Sequence, residues 1–99
     1  MKKEIEQKYY REAEIMKALA HPTRLFIIHS LKDGEKCVCE LTDEIGDDIS
    51  TVSKHLLILK NAGLVEANRK KNWMYYKLSA PCVLDIGKCV INKVIKKRR

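Results

Sequence analysis

The chain has 99 residues, of which 45% are hydrophobic and 33% charged, and this composition indicates one globular domain over residues 1–99 rather than a disordered chain. It contains no apolar run near the roughly 20 residues that a membrane-spanning helix needs. The N-terminal segment MKKEIEQKYY has no apolar signal core, so we expect a cytoplasmic protein that does not associate with a membrane. Residues 1–49 carry a net charge of −3 and residues 50–99 a net charge of +10, which predicts a polyanionic partner for the second half.

The first half of the chain predicts three helices. Apolar side chains recur at helical spacing over residues 4–20. Pro22 suits the first position of a second helix, PTRLFIIHSLKDG, which Gly34 ends. A short third helix is predicted over residues 38–45.

A fourth helix, ISTVSKHLLILKNAG, is predicted to begin after Asp48, which is a suitable N-cap. Its inward stripe is predicted to consist of Val52, Leu56 and Leu59. Small polar and basic side chains lie on or near the opposite side: Ser50, Thr51, Ser53, Lys54 and His55.

The segment LVEANRKKNWMYYKLS changes to a period of two, which predicts a β-hairpin. Its tip is basic, with Arg69, Lys70 and Lys71. Asn72 is suited to the left-handed conformation that such a tip needs. The last segment, PCVLDIGKCVINKVIKKRR, predicts an amphipathic helix opened by Pro81. Apolar residues cover so much of its circumference that we expect it to pack on two sides, one of them against another protomer.

These elements predict a mainly α fold with a small β-hairpin, in the order ααααββα, which is a winged helix-turn-helix. Small polar residues at the start of the fourth helix let the backbone approach a DNA groove, where Lys54 and His55 reach phosphates or base edges. The three cations of the hairpin tip suit the adjacent DNA backbone or minor groove. We therefore expect double-stranded DNA as the partner. The competing interpretation is a basic surface that only solvent contacts.

Four cysteines, in a chain expected in the cytosol, indicate metal binding or redox chemistry rather than stable disulfides. Cys37 and Cys39 stand at the head of the third helix, where positions i and i+2 point to nearly opposite sides. If both thiols serve one purpose, this helix must begin late or be distorted. Closely spaced thiolates suit a soft ion such as As(III), Sb(III), Cu(I), Cd(II) or Pb(II). Cys82 and Cys89 are seven residues apart and therefore lie on one face of the last helix. One of them could supply a third sulfur, or both could be small buried hydrophobic residues.

The sequence resembles the ArsR/SmtB metalloregulatory repressors over nearly its whole length. LAHPTRLFIIHSL is similar to the family's second-helix entry, TVSKHLLILKNAGLV to its recognition helix and RKKNWMYYKL to its wing. KCVCEL resembles the thiolate motif of the arsenic-, cadmium- and lead-responsive branches. The resemblance implies a homodimer that leaves its DNA operator when an inducer binds. It also implies that the major groove is read by Ser50, Thr51, Ser53, Lys54 and His55.

Three positions depart from the family pattern. Ile49 stands where many members have a polar reader, Asn72 replaces the usual wing-tip glycine, and Thr42 stands where the arsenic branch often has a third cysteine. Residues 1–20 contain no Cys or His, so the family's four-sulfur cadmium site lacks its partners. The last helix contains no His for the zinc site of related repressors. These absences narrow the choice of ion, and the resemblance to the arsenic-responsive branch implies As(III) or Sb(III) as the inducer, with the other soft ions left open.

We predict a transcriptional repressor released by a thiophilic ion bound through Cys37 and Cys39. Binding is expected to pull the first turn of the third helix out of regular geometry and so to tilt the reader helix. One alternative is a repressor of the same fold that senses oxidants or persulfides through a disulfide, for instance between one cysteine of this motif and Cys82 or Cys89. Another is a thiol oxidoreductase or metal chaperone that binds no DNA. An enzyme is not expected, since the sequence has no Gly-rich phosphate loop, nucleophile elbow or carboxylate–histidine set.

Overall fold

The computed structural model describes residues 1–95. The helices there are α1 (Lys3–Leu19), α2 (Pro22–Ser30), α3 (Val38–Ile45), α4 (Ile49–Asn61) and α5 (Val83–Val90), which continues as a π-helical segment over Ile91–Ile95. The strands are β1 (Lys36–Cys37), β2 (Val65–Lys70) and β3 (Trp73–Leu78). The predicted mainly α fold with a hairpin is confirmed, and the end of the predicted last helix, residues 96–99, lies outside the described residues.

The core lies where α2, α3 and α4 meet the hairpin. The predicted inward stripe of α4 is confirmed, since Val52, Leu56 and Leu59 are all fully buried. Ile27 of α2 and Leu41 of α3 are buried equally deeply against them. This packing sets the orientation of α4 relative to α3, because close-packed interiors tolerate little displacement.

The sheet has three antiparallel strands in the order β1-β3-β2, so the hairpin has a third strand that the sequence did not predict. In β1, Lys36 pairs with Tyr76 and Cys37 with Tyr75. A strand of two residues shows no alternation of polar and apolar side chains, so its sequence carries no strand signal. Its effect is to join the segment just before α3 to the second strand of the wing, which is the hairpin formed by β2 and β3.

The tip of the wing is a two-residue turn, Lys71-Asn72, between the paired residues Lys70 and Trp73. Lys71 has a φ of 57° and is the only residue other than glycine with positive φ among residues 1–95. The prediction that Asn72 takes the left-handed conformation is therefore wrong by one position. The turn follows the strand register, which puts the left-handed site directly after Lys70.

Apolar side chains remain on the surface of the single chain, among them several of α1 and α5. On α1, Tyr9 is 51% exposed and Met16 is 42% exposed, and on α5, Ile86 and Val90 are also exposed. α5 begins at Val83, two residues later than Pro81 would suggest, and Val83 is its one buried residue. None of the helices among residues 1–95 is long and apolar enough to cross a membrane.

Candidate DNA interface and thiol site

The turn between α3 and α4 is built by two local signals. Gly46 ends α3 in the left-handed conformation, with a φ of 86°. Asp48 begins α4 as the predicted N-cap, since its Oδ1 accepts hydrogen bonds from the Thr51 amide and the Ser50 hydroxyl, both at 2.8 Å. The pKa of Asp48 lies below its ordinary value. The largest cause is the hydrogen bond from the Thr51 amide, and the next is the bond from the Ser50 hydroxyl. The pair of helices that results is a helix-turn-helix with α4 in the reader position.

The predicted DNA-reading side chains lie along one side of α4. Ser50, Ser53 and Lys54 are exposed, whereas Thr51 and His55 are partly buried. Ser50, Ser53 and Lys54 are therefore free of the core, whereas Thr51 and His55 lie beside the buried stripe of α4. Small side chains near the start of α4 leave room for the backbone to approach a groove.

The wing carries the three predicted cations, Arg69, Lys70 and Lys71, all exposed near its tip. Lys70 forms an ion pair with Glu35, which lies directly before β1. The hydrogen bond to Glu35 raises the pKa of Lys70. Lys70 also lies over the ring of Tyr75, with Nζ 5.2 Å from the ring centroid. The sequence did not indicate that one wing cation is already neutralised.

His55 differs from the other predicted readers because basic side chains surround it. Its ring centroid lies 4.4 Å from that of His21, and its Nδ1 lies 3.3 Å from Nη1 of Arg24. Burial lowers the pKa of His55, and the neighbouring His21 and Arg24 lower it further, while Asp47 opposes them. Sequence reasoning missed Arg24, which stands 31 positions away in the chain.

The two cysteines of the Cys-Val-Cys motif meet at the junction of β1 and α3, where they form a disulfide bond with their Cα atoms 5.2 Å apart. Cys37 has an extended backbone, with φ −71° and ψ 146°, and is the N-cap of α3. Cys39 lies in the first turn of a regular helix. Of the two predicted alternatives, a late start and a distorted helix, the structure shows the late start, because α3 begins at Val38 and leaves the Cys37 sulfur free to reach Cys39. The distortion expected on ion binding stays a prediction.

The backbone around the pair is held by a capping box. The Cys39 amide donates to Sγ of Cys37 at 3.3 Å, and the Cys37 amide donates to Oε1 of Glu40 at 3.0 Å. Cys37 is 2% exposed and Cys39 is partly buried. Chemistry at the Cys37 sulfur therefore acts directly on the start of α3.

The other two cysteines lie elsewhere. Cys82 directly precedes α5 and Cys89 lies near its end, and both are exposed free thiols. The alternative that they are small buried hydrophobic residues is wrong for the single chain. The suggested disulfide between the motif and one of them differs from the pair that the structure forms. Among residues 1–95 of one chain, no group of three or more Cys, His, Asp or Glu side chains is placed to hold a metal ion.

Residues 21–67, which run from the N-cap of α2 to the third residue of β2, match the family described as bacterial regulatory protein, arsR family. The HTH-type transcriptional regulator MJ1325 of Methanocaldococcus jannaschii is 42% identical over 85 residues, which are 85% of this chain and 96% of that protein. The chain belongs to the arsR family. As a member of this family it is a DNA-binding transcriptional regulator and not an enzyme.

Two further arsR-family comparisons bear on assembly and signal. The solution structure of the homodimeric winged helix-turn-helix DNA-binding domain of Mb0332 from Mycobacterium bovis superposes with a TM-score of 0.84 at 27% identity, over 98% of this chain and 93% of that one. The arsenical resistance operon repressor of Escherichia coli is 36% identical over 67 residues, which are 67% of this chain and 57% of that protein. The winged helix-turn-helix architecture predicted from the sequence is therefore that of this family.

Proposed function

We propose that this arsR-family protein is a cytoplasmic, homodimeric repressor that leaves its DNA operator when Cys37 and Cys39 bind a thiophilic ion, with As(III) or Sb(III) as the inducer. The observation that carries the proposal is the meeting of two sulfur atoms at the entry to the helix-turn-helix. Soft ions of this kind prefer thiolate ligands. The similarity to an arsenical resistance repressor supports the choice of ion.

The chemistry of capture is a ligand exchange at arsenic. Each reduced thiol replaces one hydroxyl of As(OH)₃, and that hydroxyl leaves as water with the thiol proton. Two exchanges join arsenic to Cys37 and Cys39 and leave one hydroxyl in place. The disulfide has no thiol to react, so capture requires the reduced pair.

A third sulfur is proposed to come from Cys82 or Cys89. Thr42 is unsuited to the role, because its hydroxyl already donates to the carbonyl of Val38 at 2.7 Å and is a hard ligand. Both candidate thiols are exposed, so either can approach a site on a second copy of the chain. A site shared between two subunits would then have three sulfur ligands, which the described residues of one chain do not bring together.

The proposed signal reaches the DNA interface through two contacts of Cys37. When its sulfur binds an ion, the position of the atom that accepts the Cys39 amide changes, which alters the N-cap of α3. Its backbone also pairs with Tyr75, so a shift of Cys37 moves the wing. The half-sites of a dimer must meet grooves about 34–36 Å apart, so small displacements lower DNA affinity. A coupling of ~1–3 kcal/mol is typical of such regulation.

The apolar side chains that α1 and α5 leave exposed support a homodimer. Tyr9, Met16, Ile86 and Val90 are each more than two-fifths exposed in the single chain. Exposed apolar clusters of this kind mark protein interfaces. The homodimeric state of the similar Mb0332 domain agrees with this assignment.

The test compares wild type with a Cys37→Ser, Cys39→Ser double variant on DNA taken from upstream of the protein's own gene. Fluorescence anisotropy with and without arsenite should show release of wild type and continued binding by the double variant. Full release of the double variant would show that this pair is not the sensor. X-ray absorption of the arsenic-bound protein then counts sulfur neighbours, and separate Cys82→Ser and Cys89→Ser variants identify which thiol supplies a third.

A second candidate signal is oxidation, which the Cys37–Cys39 disulfide favours. The two thiols lose two protons and two electrons to a peroxide, which is reduced to water. Mass spectrometry should find the loss of two hydrogens in a peptide that contains both cysteines. If the oxidised protein binds DNA as tightly as the reduced protein, oxidation of this pair only blocks ion capture and is not itself a signal.

A further inference from the structure

Arg24 joins the end of α1 to the reader helix. Its Nε donates to the carbonyl of Ala18 at 2.6 Å and its Nη2 to the carbonyl of Lys17 at 3.5 Å. These carbonyls belong to the last turn of α1, where intrahelical partners run out, and that of Lys17 also accepts from the C-cap amide of Ala20 at 3.1 Å. A cation there is also favoured by the helix dipole. The guanidinium is therefore held in place before it reaches α4.

The third bond of Arg24 determines the tautomer of His55. Nη1 of Arg24 lies 3.3 Å from Nδ1 of His55. A guanidinium has only donors, so the imidazole nitrogen that faces it must accept. A neutral ring that accepts at Nδ1 carries its proton on Nε2. His55 is thereby left with one donor, Nε2–H.

His21 packs beside the ring of His55. Its Nδ1 accepts from the Thr23 amide at 3.0 Å, so its own ring also accepts at this nitrogen. The two imidazoles lie 4.4 Å apart at an interplanar angle of 45°. The groups that face His55 are thus His21, Arg24 and, from the α3–α4 turn, Asp47. Burial, followed by the basic neighbours His21 and Arg24, outweighs Asp47 and lowers the pKa of His55, which favours the neutral ring.

We propose that Arg24 is a positioning residue for DNA recognition, which holds the His55 ring in the tautomer that presents Nε2–H to one acceptor on the duplex. This inference rests on the proposed contact between His55 and DNA. A single fixed donor suits a phosphate oxygen or a purine acceptor in the major groove. A protonated ring would have two donors and a charge that attracts phosphates at any sequence.

The first test uses the free protein and needs no DNA. Nitrogen-15 NMR of the imidazoles should show His55 as the Nε2–H tautomer in wild type. In Arg24→Met, which removes the donor and the charge, the tautomers should mix and the pKa of His55 should rise. Arg11→Met is the matched control, because Arg11 also donates to a helix-end carbonyl, that of Ala62 at 2.9 Å, without a contact to His55. An unchanged His55 in Arg24→Met would overturn the proposal.

The second test is a double-variant cycle in DNA affinity. His55→Ala should lose roughly tenfold in affinity, as expected for one lost polar contact, and Arg24→Met should add no further loss in that background. Losses that multiply would show that Arg24 acts on DNA by itself and would overturn the inference. If His55→Ala binds like wild type, His55 does not touch DNA, and both the assigned contact and the inference fail.

A pH profile separates positioning from a merely structural role. Between about pH 8 and about pH 6, Arg24→Met should gain affinity for non-operator DNA as His55 becomes protonated, and its preference for the operator should fall. Wild type should change less over the same range, because its ring stays neutral to lower pH. Loss of thermal stability in Arg24→Met with the wild-type pH profile would contradict the proposal.

Discussion

Cys37 pairs directly with Tyr75 in the three-stranded sheet, so the proposed ion site and the wing share one set of backbone hydrogen bonds. Glu35, two residues earlier, holds Lys70 of the wing in an ion pair. The segment from Glu35 to Cys37 thus contacts the wing through both backbone and side chains. A signal that moves this segment reaches Lys70, a predicted DNA-contacting cation, as well as the start of α3.

Releasing Lys70 from Glu35 is expected to strengthen DNA binding. In Glu35→Gln, Lys70 keeps its charge but loses its ionic partner, so it becomes available for a phosphate. Affinity should rise for all sequences, and the slope of log K against log salt should steepen by about one. Lys70→Ala should lower the affinity for all sequences, because it leaves the Glu35 carboxylate unpaired near the DNA.

The control for this prediction is Glu44→Gln. Glu44 also pairs with a lysine, Lys36 at 3.0 Å, but it lies on α3 and contacts no wing residue by this bond. Both changes remove the same formal charge, so a general electrostatic effect would appear equally in each. Equal gains from the two variants would contradict a specific role for the Glu35–Lys70 pair.

Replacing Lys71 by glycine is expected to stabilise the wing. Its φ of 57° costs a residue with a Cβ about 1 kcal/mol that glycine avoids. Urea unfolding of Lys71→Gly should therefore show a gain of about 1 kcal/mol. Asn72→Gly serves as the control and should show no such gain, because Asn72 does not have positive φ. A gain in Asn72→Gly alone would place the strained residue at position 72.

Asp48 is expected to make stability depend on pH in the acid range. Its folded pKa lies below its ordinary value of 3.8, so its contribution is present above that value and is lost as the pH falls through the folded pKa. Asp48→Asn keeps an N-cap at every pH and removes the titration. The stability difference between wild type and this variant should therefore shrink below about pH 4. A difference that stays constant on acidification would show that the cap does not depend on the charge.

Truncation of Leu56 should test the packing that orients the reader helix. The side chain is fully buried between α4 and its neighbours, so Leu56→Ala is expected to lose about 2–5 kcal/mol of unfolding free energy. Leu57, the next residue, is 54% exposed, and Leu57→Ala should change stability by less than about 0.5 kcal/mol. Chemical denaturation at one protein concentration compares the two. Equal losses of unfolding free energy in the two variants would mean that Leu57 is buried in the assembled protein.

The helices and the hairpin could be predicted because each has a local signal. Asp48 is an N-cap by its own side chain, and the period of Val52, Leu56 and Leu59 predicts the buried face before any partner is known. The position of the left-handed residue could not be predicted. Asn72 is chemically suited to the left-handed conformation. The pairing of the strands, however, fixes which turn residue adopts that conformation, and this residue is Lys71.

By itself the sequence determined the order of the helices and of the two wing strands, the positive charge of the second half of the chain and the presence of two sulfurs one residue apart. These follow from side-chain chemistry and periodicity along the chain. Only the tertiary structure decided that Cys37 ends a strand, that its neighbour Glu35 holds Lys70, and that Arg24 faces His55. Each of these depends on segments far apart in the chain, whose approach is set by packing of the whole core, and no local pattern encodes it.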